Sequence, residues 1–184
     1  VAGKGHLPQE QEFAHSLAKT FPGIASIVLN HNPQNTNVIL GRENRLLWGK
    51  DTIDDILCEV RVTLSPHSFY QVNRDQAEVL YGKALEFAGL TGNETVLDLY
   101  CGIGTISLFM AKKAKQVYGV EIVPQAIDDA KRNAAINDIH NAEFYVGKAE
   151  EVLPQTYERE HIHADIIVVD PPRKGCDESL LACI

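Results

Sequence analysis

The sequence predicts an α/β fold, in which helices flank a parallel sheet and a small α+β subdomain comes first. Residues 95–107 combine a short apolar run, a turn with two glycines and the start of a helix, which is the opening of a nucleotide-binding α/β unit. From there on, apolar runs alternate with amphipathic segments, a pattern typical of parallel strands with right-handed crossovers. Residues 57–64 alternate between apolar and polar side chains, which indicates a sheet with one solvated face. We therefore divide the chain into an α+β subdomain at 1–65 and a Rossmann-like domain at 66–184.

The subdomain is predicted to begin with a helix at Pro8–Phe21, because apolar residues recur there at helical spacing and Pro22-Gly23 then ends it. A turn is predicted at Asn30–Asn35, whose residues favour turns. The predicted strands of this part are Ile24–Leu29, Val38–Leu40, Arg45–Trp48 and Leu57–Leu64.

The larger domain is predicted to start with a helix at Arg74–Ala88, capped by Asn73. The predicted buried stripe of this helix comprises Ala77, Leu80, Tyr81, Ala84 and Phe87. The strands that follow are predicted at Val96–Tyr100, Gln116–Glu121, Glu143–Val146 and Asp165–Asp170. The helices between them are predicted at Thr105–Lys113, Pro124–Asn137 and, as a short element, Glu150–Leu153.

Both ends of the chain suggest a piece of a longer protein. Val1 is not a start methionine, and residues 177–184 have the acidic first turn and apolar spacing of a helix that has just begun. We therefore expect an incomplete parallel sheet. The strand at Asp165–Asp170 is expected to leave an apolar edge, through which the piece would associate with other chains.

The composition is that of an ordinary globular protein, with 45% hydrophobic residues and no apolar run long enough for a membrane span. The N-terminus is polar, so no signal peptide is expected. Four cysteines without a Cys-x-x-Cys pair indicate free thiols in a reducing, cytoplasmic setting, and they give no metal-binding spacing. The net charge of −8 argues against this chain alone holding nucleic acid.

Two stretches carry the residues best placed to bind a ligand. Gly102 and Gly104 form the turn after the first strand of the larger domain, and Glu121 ends the next strand, where a carboxylate accepts hydrogen bonds from ribose hydroxyls. Asp170 follows a fully apolar strand and precedes two prolines that hold the backbone rigidly. Because ligands bind at the carboxyl ends of parallel strands, we expect these acids to line one site.

The pattern leaves two cofactor classes open, a dinucleotide and S-adenosylmethionine. A dinucleotide-binding turn normally has a third glycine, where this chain has Ser107. Asp98 lies inside the strand before the turn, where its carboxylate would repel a pyrophosphate. S-adenosylmethionine carries a sulfonium and an ammonium cation, which a site with Asp98, Glu121 and Asp170 suits better.

Four motifs together resemble the RNA uracil-5-methyltransferases, which form 5-methyluridine in ribosomal or transfer RNA. They are Ser-Phe-Tyr-Gln-Val-Asn at 68–73, Asp-Leu-Tyr-Cys-Gly-Ile-Gly at 98–104, Gly-Val-Glu at 119–121 and Asp-Pro-Pro-Arg-Lys-Gly at 170–175. The pairing of the first motif with the last is the specific part, whereas the glycine turn is generic. The resemblance implies a methyltransferase domain that uses S-adenosylmethionine, and an RNA substrate.

The resemblance also implies roles for single residues. Gln71 would hydrogen-bond the amino-acid end of S-adenosylmethionine, with Tyr100 packed beside it. Glu121 would bind the ribose, and Asp170 would lie between the cofactor and the target base. An adenine contact is expected just after the third strand, where Lys148 departs from the family's pattern.

The predicted cofactor site thus comprises Gln71, Asp98, Tyr100, Gly102, Gly104, Glu121 and Asp170. In the family, a cysteine thiolate adds to carbon 6 of uracil and a base removes the proton from carbon 5. Both groups lie downstream of the Asp-Pro-Pro-Arg motif in that family, so we expect them beyond Ile184 and no catalytic residue in this chain. Cys101 and Cys176 are expected to be structural, and His161 and His163 are not expected to bind a metal.

Three alternatives remain open. An amino-group methyltransferase acting on nucleic acid or protein would place an aromatic residue after Asp-Pro-Pro, where this chain has Arg173. An NAD-dependent oxidoreductase would share the glycine turn. A non-catalytic module would bind the cofactor without turnover.

Overall fold

The structure, a computed structural model, describes residues 2–3, 7–34, 39–152, 154 and 162–184. By its internal contacts the chain divides into two compact units. They comprise Val1–Asp54 with Leu64–His67, and Asp55–Thr63 with Ser68–Ile184. The predicted domain boundary after Ser65 stays a proposal, because the two units interleave along the chain in this region.

The first unit holds a three-stranded sheet with one helix packed against it. Its elements are β1 (Ala2–Gly3), α1 (Glu10–Thr20), β2 (Ser26–His31) and β3 (Glu43–Gly49). Strand β2 lies between β1, which runs parallel to it, and β3, which runs antiparallel. The core of this unit consists of Ala14, Ile27, Leu29 and Leu47. This arrangement agrees with the small α+β architecture predicted from the sequence.

One predicted strand of the first unit, Val38–Leu40, is not formed by those of its residues that the structure describes. Ile39 and Leu40 are not part of a strand, whereas Val38 lies outside the described residues, as does Asn35 of the predicted turn. The start of that turn is also shifted, because Asn30 belongs to β2, where its buried side chain accepts from the Gly41 N–H at 2.7 Å and donates to the Gly41 carbonyl at 2.8 Å. The loop that contains Gly41 is thus held to β2 by the Asn30 side chain and not by a strand pairing.

A hairpin occupies the stretch that the sequence predicts as one strand. Strands β4 (Ile53–Leu57) and β5 (Val60–Leu64) pair with each other, and Cys58 and Glu59 form the turn between them. Both turn residues have left-handed backbones, with φ of 50° and 61°. The predicted strand Leu57–Leu64 is therefore wrong. Glycine or asparagine normally occupies such a turn, and neither is present to reveal it in the sequence.

The second unit is built on a four-stranded parallel sheet. Its strands are β6 (Thr95–Leu99), β7 (Gln116–Glu121), β8 (Ala142–Val146) and β9 (Ile166–Val169), in the order β8-β7-β6-β9. Every neighbouring pair runs parallel. The predicted parallel sheet is confirmed, and β9 forms one of its edges within the described residues. Strand β6 is central, and apolar residues pack on both of its faces, so it is almost entirely buried.

Helices accompany this sheet at nearly the predicted places. They are α2 (Arg74–Ala88), α3 (Thr105–Ala111), α4 (Pro124–Ile136) and α5 (Glu178–Cys183). Residues 149–152 are also helical, whereas Leu153 lies outside the described residues. Asn73 caps α2 as predicted, because its side chain accepts a hydrogen bond from the Gln76 N–H at 3.3 Å. Within the described ranges, none of the helices is long and apolar enough to cross a membrane.

The predicted buried stripe of α2 is only partly right. Ala77 and Tyr81 are buried, and they pack with Leu57 of the hairpin. Leu80 and Phe87, by contrast, are 58% and 84% exposed. The buried face of this helix is thus narrower than its apolar spacing predicts.

Candidate cofactor site

A pocket in the second unit lies where β6 and β9 end. Its walls are formed by Phe69, Tyr70, Gln71, Tyr81, Asp98, Tyr100, Cys101, Gly102, Ile103, Thr105, Ile106 and Asp170. The sheet order reverses at this point, because β7 follows β6 on one side and β9 lies on the other. Ligands of open α/β sheets bind at such a switch point, beyond the carboxyl ends of the strands.

The pocket brings together most of the residues that the sequence predicts. Gln71, Asp98, Tyr100, Gly102 and Asp170 all line it. The other two predicted residues lie next to it. Gly104 is the N-cap of α3, and Glu121 hydrogen-bonds the backbone of the glycine turn.

Left-handed backbone at three positions shapes the turn between β6 and α3. Tyr100, Gly102 and Gly104 have φ of 72°, 56° and 82°. A Cβ atom at Gly102 would meet nothing within 4 Å, so glycine is needed there for its backbone conformation rather than for space. Tyr100 adopts the same region without being a glycine, which is strain of the kind that clusters at functional sites.

An aromatic ring fills the space behind this turn. A Cβ atom at Gly104 would lie 3.0 Å from the Phe144 ring. One at Gly119 of β7 would lie 2.6 Å from the same ring and 2.9 Å from the sulfur of Cys101. Phe144 of β8 therefore rests against two positions that have no side chain. Packing requires the glycine at 119, whereas at 104 the close contact adds to the left-handed φ.

Asp98 is the most unusual residue of the pocket. It is 1% exposed, and its Oδ2 accepts a hydrogen bond from the Ser107 hydroxyl at 2.5 Å. Its Oδ1 is buried without a hydrogen-bond partner among the described residues. Burial, together with the nearby charges of Asp170 and Glu121, raises the pKa of this carboxyl to about 6. A buried acceptor left open in the wall of a pocket is a place where a ligand donor fits.

Glu121 braces the glycine turn from the end of β7. Its Oε2 accepts from the Gly102 N–H at 3.2 Å, and its Oε1 accepts from the Val123 N–H at 3.0 Å. A carboxylate has about four acceptor positions, so each oxygen retains capacity for a ligand hydroxyl. Sequence reasoning predicted the ligand role of this residue and missed its hold on the turn.

Two side-chain hydrogen bonds hold the segment that carries Gln71. The Ser68 hydroxyl donates to Asp129 Oδ2 at 3.0 Å, and the Tyr70 hydroxyl donates to Asp55 Oδ2 at 2.9 Å. Burial and the bond to Asp55 raise the pKa of Tyr70 above its usual range, so this phenol stays protonated. The first motif of the sequence contains Ser68 and Tyr70, but their partners lie far along the chain and were missed.

Neither cysteine near the site has the surroundings of a reactive thiolate. Cys101 is buried, and burial, with the charges of Asp98 and Glu121, raises the pKa of its thiol well above the usual value. Cys176 packs beside Tyr100 against the core. The pKa of Tyr100 is raised, mainly by burial of its phenol and to a smaller extent by the nearby Cys176.

Two further predictions concern Lys148 and the histidines at 161 and 163. Lys148 Nζ donates to Glu151 Oε1 at 2.8 Å, so its side chain is engaged on the surface of the following helical turn. His161 lies outside the described residues. Among the residues that the structure describes, no group of histidine, cysteine and acidic side chains is arranged to hold a metal ion.

Residues 90–179 match the family model of a methyltransferase domain. This range contains the parallel strands, the glycine turn, Asp98 and Asp170. These residues have the fold of a methyltransferase domain.

Curated relatives of this chain are described as RNA methyltransferases. An uncharacterized RNA methyltransferase of Bacillus cereus is 57% identical over 184 residues, which is all of this chain and 40% of that protein. An uncharacterized RNA methyltransferase of Listeria innocua is 55% identical over 184 residues, again all of this chain and 40% of the relative. The chain thus spans about two fifths of the length of these curated relatives.

Solved structures agree with the fold of the methyltransferase domain. The tRNA (uracil-54, C5)-methyltransferase of Pyrococcus abyssi, solved with S-adenosyl-L-homocysteine, is 32% identical with a TM-score of 0.75 over 98% of this chain and 41% of that one. The tRNA m1G37 methyltransferase of M. jannaschii is 16% identical with a TM-score of 0.61, over 94% of this chain and 49% of that one, and shows the fold alone. The predicted Rossmann-like methyltransferase fold is confirmed.

Proposed function

We propose that the protein containing this chain transfers a methyl group from S-adenosylmethionine to carbon 5 of a uridine in ribosomal or transfer RNA. The chain contributes mainly the cofactor site. The names of its relatives support an RNA substrate. The Pyrococcus neighbour, which is named for uracil C5 methylation, supports the position. The uracil-5-methyltransferase motifs in the sequence agree with both.

The open oxygen of Asp98 is the observation that carries the cofactor part of this proposal. S-adenosylmethionine, the cofactor of this fold class, carries a sulfonium and an ammonium cation. A buried carboxylate oxygen in the pocket wall, with Asp170 also lining the pocket, attracts such cations. The same acids would repel the pyrophosphate of a dinucleotide, which disfavours the NAD-dependent alternative.

The other site residues take roles that their positions permit. Gln71 and Tyr100 line the pocket and would hold the amino-acid end of the cofactor. Glu121 would accept from the ribose hydroxyls while it braces the turn. Asp170 would lie between the cofactor and the base. The bound cofactor supplies an electrophilic methyl group.

Methylation of carbon 5 of uracil also needs a thiolate and a base. Cys101 is unsuited as the thiolate because burial raises its pKa. We propose that both groups belong to the part of the protein beyond Ile184, and that the protein works in the reducing cytoplasm, where free thiols persist.

The test uses the full-length protein with radiolabelled S-adenosylmethionine and a uridine-containing RNA transcript. We expect 5-methyluridine in the digested RNA, and tritium release when the transcript carries [5-³H]uridine. Methylated guanosine, adenosine or an exocyclic amine would contradict the assignment to carbon 5.

Calorimetry on the 184-residue chain tests the cofactor separately. We expect S-adenosylhomocysteine to bind and NAD to give no heat. Binding of NAD alone would overturn the cofactor assignment. Methyl transfer by the chain alone would show that the proposed downstream cysteine is dispensable.

A further inference from the structure

Helix α4 presents a row of polar side chains where an interior helix face is usually apolar. Asp129 and Asn133 lie in α4 and Asn137 is its C-cap, and their spacing of four residues places them on the same side of the helix. Asp129 and Asn133 are 4% and 0% exposed. We call these three residues the polar row. Burying such groups costs stability unless each is hydrogen-bonded, so their partners indicate what the row holds.

Asn133 connects α4 to the glycine turn and to β5. Its Oδ1 accepts from the Thr63 N–H at 2.8 Å, and its Nδ2 donates to the Ile103 carbonyl at 3.2 Å. Ile103 lies between the two glycines of the turn and lines the pocket. Asn133 therefore fixes the glycine turn at the Ile103 carbonyl, whereas Glu121 fixes it at the Gly102 N–H.

Asp129 connects the same helix to a second pocket wall. Its Oδ2 accepts from the Ser68 hydroxyl at 3.0 Å, and its Oδ1 accepts from Arg132 Nη1 at 2.8 Å. Ser68 begins the segment in which Phe69, Tyr70 and Gln71 line the pocket. The carboxylate thus holds this segment at its start, and its remaining oxygen is paired within α4.

Asn137 provides an internal comparison, because its bonds go elsewhere. Its Oδ1 accepts from the Arg61 N–H at 2.8 Å, and its Nδ2 donates to the Arg61 carbonyl at 2.6 Å. It also donates to the Asn133 carbonyl at 2.7 Å. It therefore binds β5 and its own helix without contacting the glycine turn or the Gln71 segment.

We propose that Asp129 and Asn133 are positioning residues of the cofactor site, which set the glycine turn and the Gln71 segment at a fixed separation across the pocket. The inference rests on the proposed function, because it takes the pocket as the cofactor site. Side chains that contact a ligand work only when their supporting groups hold them in place. Helix α4 supplies that support, because it is hydrogen-bonded to both the glycine turn and the Gln71 segment.

Four variants of the chain separate positioning from plain stabilisation. Ser68→Ala removes the donor to Asp129 at a half-buried position, and Ser68→Thr keeps a hydroxyl there. Asn133→Asp keeps the acceptor for the Thr63 N–H and replaces the donor to Ile103 by a carboxylate oxygen. Asn137→Ala removes the bonds to Arg61 and to the Asn133 carbonyl but keeps the side-chain bonds of Asp129 and Asn133, so it is the matched control.

The measurements are the Kd for S-adenosylhomocysteine by calorimetry, well below the unfolding temperature, and the thermal midpoint without ligand. We expect Ser68→Ala and Asn133→Asp to raise Kd by about tenfold, the order expected for losing one such buried bond. Ser68→Thr should restore the affinity. Asn137→Ala should lower the midpoint and leave Kd within about twofold of the wild type.

The wild-type chain distinguishes the two ways of failing. Absence of S-adenosylhomocysteine binding by the wild type would overturn the proposed function and this inference with it. Binding by the wild type together with unchanged Kd values in Ser68→Ala and Asn133→Asp would overturn the inference alone. An equal loss of affinity in Asn137→Ala would show that the row only stabilises the fold. Ser68→Ala decides the matter even if Asn133→Asp fails to fold.

Discussion

At the scale of single residues, Asp98 dominates the site because its carboxylate is buried with one oxygen open. We expect Asp98→Asn to weaken S-adenosylhomocysteine binding by about tenfold or more, because a charged hydrogen bond to the ligand ammonium is lost. The amide still accepts from the Ser107 hydroxyl, so the ligand-free chain should unfold at no lower temperature. Calorimetry and thermal unfolding measure the two effects.

Asp165→Asn is the matched control for this substitution. The Asp165 carboxylate accepts from the Thr95 N–H at 2.8 Å, beyond the opposite end of β6. This variant should bind S-adenosylhomocysteine like the wild type. Equal affinity of the Asp98→Asn variant and the wild type would refute the role of Asp98 in holding the cofactor.

The raised pKa of Asp98 also predicts a pH dependence. The folded value of about 6 lies above the ordinary 3.8, so between these values the folded chain holds a proton that the unfolded chain has released. The contribution of this group to stability is therefore fully present below about pH 4 and is lost as the pH rises through 6. The ammonium group of the ligand favours the ionised carboxylate, so binding follows the opposite trend.

We expect the Kd for S-adenosylhomocysteine to be about tenfold higher at pH 5 than at pH 7.5, because most of the Asp98 carboxyl is protonated at the lower pH. Titration calorimetry at several pH values measures this trend. The Asp98→Asn variant should show a much flatter profile. A wild-type profile as flat as that of the variant would mean that this carboxyl is not coupled to the ligand.

At the scale of elements, the hairpin turn between β4 and β5 carries two side chains in left-handed backbone. We expect Glu59→Gly to raise the unfolding free energy by about 1 kcal/mol, because glycine adopts this region without strain. The ion pair that is lost, between Glu59 and Lys112 at 3.7 Å, is exposed and weak. A thermal melt should show a rise of about 2–4 °C.

The same substitution in a helix supplies the comparison. Glu12 is exposed in α1, where the backbone is right-handed, and Glu12→Gly should lower stability by about 1 kcal/mol. A destabilised Glu59→Gly variant would show that the turn is not strained in solution.

Elements with local signals were predictable and the others were not. Helix α2 was predicted to the residue because Asn73 caps it and Gly89 ends it. The hairpin was missed because Cys58 and Glu59 are not turn formers. The buried bonds of Asn133 could not be predicted, since its partners Thr63 and Ile103 are 70 and 30 residues away. Sequence patterns describe neighbours along the chain, and these contacts exist only after folding.

The residues that line the candidate site were more predictable from the sequence than the hydrogen bonds that hold them in place. Asp98 and Asp170 lie at the carboxyl ends of neighbouring parallel strands, and parallel topology alone brings such ends together. Gln71 precedes α2 and was predicted only through the family resemblance. The open oxygen of Asp98 was not foreseeable, because it depends on the rotamer and on the Ser107 contact. Whether the predicted residues bind the cofactor stays a prediction that the binding experiments test.

At the scale of the whole molecule, the two edges of the parallel sheet differ in character. Strand β9 contains only apolar residues, whereas β8 carries Glu143. Unpaired apolar edges promote association between chains. We expect the chain to associate in a concentration-dependent way that sedimentation velocity detects, and we expect Val169→Lys to reduce this association.

Val146→Lys is the control on the other edge. Val169 and Val146 are similarly exposed, at 41% and 50%, so the two substitutions add the same charge at comparable positions. The β8 variant should sediment like the wild type. A monomeric wild type at every concentration would contradict the expected role of the β9 edge.

The ring of Phe144 behind the glycine turn has a consequence for how this domain can change over time. Gly104 and Gly119 both leave room for that ring. The glycine turn, β7 and β8 thus each contribute one residue to a closely packed group. A methyl group acquired at Gly119 would collide with the ring and with the sulfur of Cys101, so both neighbours would have to give way. Substitutions at these positions are therefore coupled to the size of their neighbours. A smaller residue at 144 is a route by which the turn could drift in shape while every side chain facing the cofactor stays the same.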